Sequence, residues 1–213
     1  MSLLSDPPHS SPSRVEVVRA GHEGDVATVR RGLSADDPAT RAAALSALRR
    51  LDLLAAATLI DAVVDSSRTV RRRAIELSAD ALFSSTALDK LLVAALDGDD
   101  PTLAECAAWC LGERYQEQRP HSVPPVLARL CAAATDHPDA LVREAAVAAL
   151  GAIGDPAGKP AVLTALADKA TVRRRAVIAL AAFEGPDVDA ALATAKEDRD
   201  WQVRQAAEDL SAE

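Results

Sequence analysis

Aromatic residues are nearly missing from this chain: Phe, Trp and Tyr together make up 2 % of its 213 residues. A β-sandwich or barrel draws on broad rings to fill its interior, so a core supplied by Ala, Leu and Val favours thin helices stacked at short distance. No apolar run approaches the roughly 18 residues that would span a bilayer. The amino-terminal MSLLSDPPHSSPSR lacks the basic start and apolar middle of a secretory signal, so the expectation is a soluble, cytoplasmic protein. Three cysteines, an odd number, do not make a disulfide framework. Cys106 and Cys110 lie one helical turn apart but have no His or third Cys beside them in sequence, so neither a metal nor a cofactor is expected. There is no P-loop, GxSxG or HExxH, and His9, His22, His121 and His137 all fall in predicted loops or tail. Basic charge is also short: the net charge is −8. That balance repels polyphosphate and makes a nucleic-acid partner unexpected. Arg greatly outnumbers Lys, a bias in keeping with a GC-rich bacterial genome.

What the chain does have is a phrase that recurs. In VREAAVAALGAIGDP, residues 142–156, the apolar Val142, Ala146, Ala149 and Leu150 fall on one face of a helix. Gly151 and Gly154 are candidate helix ends, and Asp155-Pro156 starts the next helix. The same frame, an apolar residue, Arg, two variable positions and Ala, begins at Val70, Val172 and Val203. Two degraded copies begin at Thr40 and Leu103; in the second, Ala104 replaces the arginine. Successive frames are 30, 33, 39, 30 and 31 residues apart. A period of about thirty accommodates two short helices and two turns, the mark of an α-solenoid.

The VRxxAAxALGxIGDP phrase, with further VRxxA copies at that spacing, resembles the short HEAT-like repeats of the phycobilisome-lyase type. The resemblance covers about residues 24 to 211. It implies an all-α fold, an α-solenoid of about six antiparallel helix pairs in a right-handed curved stack. Proteins with such repeats include adaptors, regulatory subunits, bilin lyases and alkylpurine DNA glycosylases, so the resemblance by itself selects no chemistry.

Along the chain, residues 1–13 are rich in Ser and Pro and read as a disordered tail, with a HEAT-like repeat domain over 14–213. Val15 to Ala20 forms a short capping helix. Helix pairs are expected over 24–51, 52–83, 86–115, 122–153, 156–183 and 187–211. Asp37-Pro38 and Asp100-Pro101 each give an N-cap followed by Pro at N1. Arg114 to Pro125, with Pro120, Pro124 and Pro125, reads as an insertion between repeats three and four. Glu208, Asp209 and Glu213 make the last helix polar, as a terminal cap requires.

The frame arginines Arg41, Arg71, Arg143, Arg173 and Arg204 follow Asp37, Asp65, Asp139, Asp168 and Asp200 by four to six residues. The spacing suggests a structural ladder in which each aspartate caps its own helix and pairs with that helix's arginine. Arg72, Arg73, Arg174 and Arg175 extend two frames into basic triplets, with Glu105 and Glu144 at the equivalent positions between them. That alternation suits a mixed-charge protein or peptide surface better than a groove tracking phosphates. Offset six of the frame is predicted to point outward and carries Ser46, Glu76, Trp109, Ala148, Ile178 and Asp209. The expectation is therefore a non-catalytic scaffold binding a protein or peptide on its concave face through Arg72, Arg73, Glu76, Glu105, Trp109, Glu144, Arg174, Arg175 and Ile178. The alternative is an enzyme: Trp109 and Glu113, one turn apart, are the aromatic and carboxylate that a HEAT-like glycosylase would use on a damaged base.

Overall fold

The computed structural model describes residues 11–80, 83, 85–116 and 124–211. Most of the expected tail, the heart of the expected insertion, His9, His121 and Glu213 lie outside them. The described residues hold thirteen α-helices and no strand, and the chain groups into two compact units, Met1–Leu77 and Ser78–Glu213.

The first unit contains α1 (Arg14–Glu23), α2 (Val26–Gly32), α3 (Pro38–Arg50), α4 (Ala56–Val63) and α5 (Arg68–Leu77). Helices α1, α3 and α5 stack in that order, while α2 packs on α1 and α3 and α4 packs on α5. The second unit contains α6 (Thr86–Leu96), α7 (Pro101–Arg114), α8 (Pro124–Asp136), α9 (Ala140–Ile153), α10 (Lys159–Ala165), α11 (Ala170–Ala179), α12 (Pro186–Ala195) and α13 (Trp201–Ser211). Here α7, α9, α11 and α13 stack in sequence order, and α6, α8, α10 and α12 each pack against the helix that follows. The fold is an all-α helical repeat solenoid; α1, longer than the capping helix expected at Val15 to Ala20, precedes the six expected pairs, and the other twelve helices fall within them to one residue.

The recurring frame is the reason. Its first residue is almost completely buried in every repeat: Thr40, Val70, Leu103, Val142, Val172 and Val203. The alanine four residues later has no exposed surface in any copy: Ala44, Ala74, Ala107, Ala146, Ala176 and Ala207. Helix starts follow the expected chemistry. Asp37 accepts hydrogen bonds from the Ala39 and Thr40 N–H groups, Asp100 from Thr102 and Leu103, and Asp139 from Leu141. Each satisfies donors that the first turn leaves without a helical partner.

One expectation needs correction. Gly154, at φ 68°, ends α9 in the left-handed region as predicted. Gly151 does not end a helix; it lies within α9, where a Cβ would come within 2.7 Å of the Ala179 Cβ and 2.9 Å of its Cα. Gly112 faces Ala149 in the same way, and in the first unit Gly21 faces Ala47. These glycines bring successive frame helices into backbone contact, and a side chain of any size would push them apart.

Gly151→Ala therefore sets two effects against each other. Alanine improves helix propensity by about 1 kcal/mol, but overpacking a fixed helix contact costs about 1–3 kcal/mol. Since the clash is with the Ala179 backbone rather than a flexible tip, the substitution is expected to destabilise. A lowered urea midpoint with an unchanged m-value would show it; a raised midpoint would mean that α9 and α11 separate without cost.

Candidate interaction face

The frame arginine uses both edges of its guanidinium. In Arg143, Nη1 donates to the carbonyls of His137 and Pro138 at 2.7 and 3.1 Å, just before its own helix, while Nε and Nη2 grip the two carboxylate oxygens of Asp168. Arg173 repeats this with the Asp168 carbonyl and the Asp198 carboxylate, the latter at 2.8 Å on both oxygens. Arg41 does so in the first unit with the Ala35 and Asp36 carbonyls and Asp65.

The ladder is real, but its rungs differ from those expected. The carboxylate comes from the next repeat, 24 or 25 residues downstream. Asp37 and Asp139 cap their own helices instead, as does Asp200 through the Gln202 N–H. Asp65 and Asp168 receive the arginine of the preceding repeat and also accept the Ser67 and Lys169 N–H groups. Arg71 and Arg204 make the same backbone clamp, with Nη1 on the Asp65 and Asp198 carbonyls.

In the degraded third repeat, Arg114 takes over at the far end of α7. It is 6 % exposed, donates to the Ser78 and Phe83 carbonyls, and pairs with Asp89 of α6 at 2.6 Å. The Tyr115 hydroxyl donates to the other oxygen of Asp89 at 2.8 Å. Burial and that hydrogen bond push the Tyr115 pKa up. The sequence reading placed Arg114 at the edge of an insertion; the structure places it in the core of the second unit.

Arginine hydrogen bonding holds the carboxyls of Asp65, Asp168 and Asp198 below the usual aspartate range. A depressed native pKa gives stabilisation that is complete above the unfolded value, about 3.9, and is lost as pH falls through the native value. Asp168→Asn is expected to remove part of the acid-side loss of stability while lowering stability near neutral pH. Arg143→Ala should cost about 1–3 kcal/mol, and Arg114→Ala, which leaves the partly buried Asp89 carboxylate with the Tyr115 hydroxyl but no cation, about 3–5 kcal/mol. Chemical denaturation checks both; equal small effects would mean that the two arginines are surface groups.

The proposed site residues divide between the units. In the first, Arg72 and Arg73 both reach Glu76 at 3.0 Å, closing a three-residue charge cluster on α5. In the second, α7 presents Glu105 and Trp109, the latter 47 % exposed. Glu113 accepts a hydrogen bond from Gln116. Glu144 on α9 and Arg175 on α11 approach to 3.6 Å, too far for a direct hydrogen bond. Arg174 is exposed, and no ion pair or hydrogen bond engages it among the described residues. Ile178 is 40 % exposed.

Around Ile178 the surface is concave. A cleft of about 320 Å³ between α9 and α11 is lined by Ala148, Gly151, Ala152, Arg175 and Ile178. A second, of about 350 Å³ between α11 and α13, is lined by Arg174, Ile178, Trp201, Gln202, Gln205 and Asp209. Ile178 and Ala181 belong to both clefts, making one groove with a floor of alanine and glycine. Trp201, 64 % exposed, was missed in the sequence. The signal was there: it opens its frame helix at a position filled elsewhere by Pro38, Arg68, Pro101, Ala140 and Ala170, none of them a large apolar residue. Cys110 is fully buried, and burial raises its thiol pKa, against a thiolate ligand. Among the described residues no cluster of His, Cys, Asp or Glu could hold a metal ion, and no helix is long and apolar enough to cross a membrane.

The HEAT repeats family profile matches residues 127–211, and no curated protein matches the chain in sequence. Among solved structures, YibA of Escherichia coli is 17 % identical with a TM-score of 0.66, over 95 % of this chain and 75 % of that one. A designed armadillo repeat protein in complex with the peptide (KR)4 is 15 % identical with a TM-score of 0.58, over 94 % of this chain and 99 % of that one. Kap95p, from a complex with RanGDP, is also 15 % identical at 0.58, over 91 % of this chain and 31 % of that one. Profile and fold agree with the stacked frame helices: residues 127–211 match HEAT repeats, and the chain has the helical-repeat fold that the armadillo repeat protein shares.

Proposed function

We propose that the protein is a non-catalytic scaffold that holds a protein or peptide partner against the frame helices of its second unit. The observation that carries this reading is the groove centred on Ile178. It is apolar at its floor, flanked by a guanidinium on each side at Arg174 and Arg175, and edged by Trp201. Large apolar side chains left in water beside arginine are typical anchors of protein interfaces. Alanine and glycine at the floor leave room for a side chain of the partner, and Gln202 and Gln205 offer amide groups to its backbone. The designed armadillo protein, which shares the fold, was solved with a peptide bound, and Kap95p with a protein. Trp109 and Glu105, on the adjoining α7, extend the same reading along the stack.

The test is retention of a partner by wild-type protein and by groove variants of equal stability. Ile178→Glu and Trp201→Ala are expected to lose a partner that the wild type retains, with at least about a tenfold loss of affinity each, as for interface anchors. Trp109→Ala should change folding stability by less than about 1 kcal/mol, as an exposed side chain does, and weaken retention. If both groove variants bind as wild type does, the face is not the binding surface. If Trp109→Ala instead costs about 3–5 kcal/mol, the residue is structural.

A further inference from the structure

The groove at Ile178 has two halves of like make-up. The α9/α11 half has a floor of Ala148, Gly151 and Ala152 and takes its cation from Arg175; the α11/α13 half has Trp201 on its wall and takes its cation from Arg174. Consecutive side chains leave a helix about 100° apart, so two neighbouring arginines of α11 serve different clefts. Ile178 follows Arg174 by four residues and lies one turn along on the same face. Arg173, the ladder arginine of this helix, is 5 % exposed and engaged by Asp198 and the Asp168 carbonyl. Arg174 is turned out into the groove instead.

Charge in the groove is unbalanced. Among the described residues Arg174 has no ion pair or hydrogen bond, and Arg175 has only the 3.6 Å approach of Glu144. On the opposite wall the Asp209 carboxylate already accepts the Gln205 amide at 2.7 Å. An uncompensated guanidinium thus stands beside an apolar floor and an exposed Trp201. The surroundings limit what can answer it. Acidic residues outnumber basic ones in the second unit, so a long polyanion that reached the two arginines would meet repulsion along the rest of its path. A short segment with a carboxylate next to a bulky apolar side chain meets the attraction alone.

We propose that the partner segment is acidic and apolar: a bulky apolar side chain enters the α11/α13 half against Ile178 and Trp201, and an adjacent carboxylate is held by Arg174. This rests on the groove reading above and adds to it the sign of the partner's charge. The planar fork of arginine takes a carboxylate through two parallel hydrogen bonds, and the apolar side chain beside it keeps water from the pair. The α9/α11 half accepts the same pattern more weakly, because Glu144 shares Arg175. Packed helices lie about 8–10 Å apart and an extended chain advances about 3.3 Å per residue. The two apolar anchors are therefore about two to three residues apart in the partner.

The probes are capped, fluorescently labelled octapeptides, (LE)4, (LK)4 and (SE)4, with binding to the 213-residue chain read by anisotropy. The peptide (LE)4 is expected to bind saturably, and the other two at least about tenfold more weakly. Arg174→Glu should weaken (LE)4 at least about tenfold and remove its advantage over (LK)4, while Arg174→Lys, which keeps the charge without the fork, should fall between. Excess oligothymidylate should not displace (LE)4. Arg174 is exposed, and circular dichroism checks that its variants stay folded. No saturable binding of (LE)4, equal binding of (LE)4 and (LK)4, an Arg174→Glu variant that binds (LE)4 like wild type, or displacement by oligothymidylate would each overturn the proposal. The natural partner separates this failure from that of the groove itself. If Ile178→Glu and Trp201→Ala lose a partner that Arg174→Glu retains, the groove stands and the acidic assignment falls; if all three retain it, both fall.

Discussion

A guanidinium can satisfy two loops at once, and in this protein that capacity ties one repeat to the next. Nη1 of the frame arginine ends the loop before its own helix by donating to carbonyls that have no helical partner. The opposite edge takes a carboxylate from the following repeat in bidentate geometry. A lysine could make neither the fork nor both contacts together. Each rung is partly buried, where a hydrogen-bonded ion pair is worth more than on open surface and where losing one partner leaves a costly orphan.

The ladder sets direction and spacing, and the small residues make that spacing short. Fully buried frame alanines and glycines in backbone contact let helices approach without large side chains, so the scarcity of aromatics is a condition of the packing. It also shapes the outer surface. Where frame helices approach closely through alanine and glycine, their exposed faces have a shallow floor. The few large side chains that remain there, Trp109, Ile178 and Trp201, stand out of it. The groove is thus a by-product of the packing rule, furnished with arginines that the ladder does not use.

Much of this was legible in the sequence because it is local. The helix pairs follow from a frame whose buried positions recur at fixed offsets, and Asp-Pro helix starts are set by the first turn alone. The exposure of Trp109 followed from its offset in the same frame. What could not be read was set by contacts one repeat away. Asp139 lies near Arg143 in sequence and offered a plausible partner, whereas the true one, Asp168, lies almost a full period downstream. Gly151 looked like a helix end because glycine serves both as a terminator and as a contact residue, and only the position of Ala179 distinguishes the two. Arg114 lies outside the frame and acquires its role from Asp89, Ser78 and Phe83. Of the candidate binding residues, Glu144, Arg174, Arg175 and Ile178 gather on α9 and α11, while Arg72, Arg73 and Glu76 form their own cluster on α5.

The central claim is that successive repeats are coupled through the arginine fork. A double-mutant cycle on Arg173 and Asp198, whose two bonds are both 2.8 Å, measures that coupling directly. Unfolding free energies of wild type, Arg173→Ala, Asp198→Ala and the double variant should give an interaction energy of about 1–3 kcal/mol, with the double variant less destabilised than the sum of the singles. Additivity within about 0.5 kcal/mol would contradict the account, because the pair would then hold nothing that its two members do not hold separately.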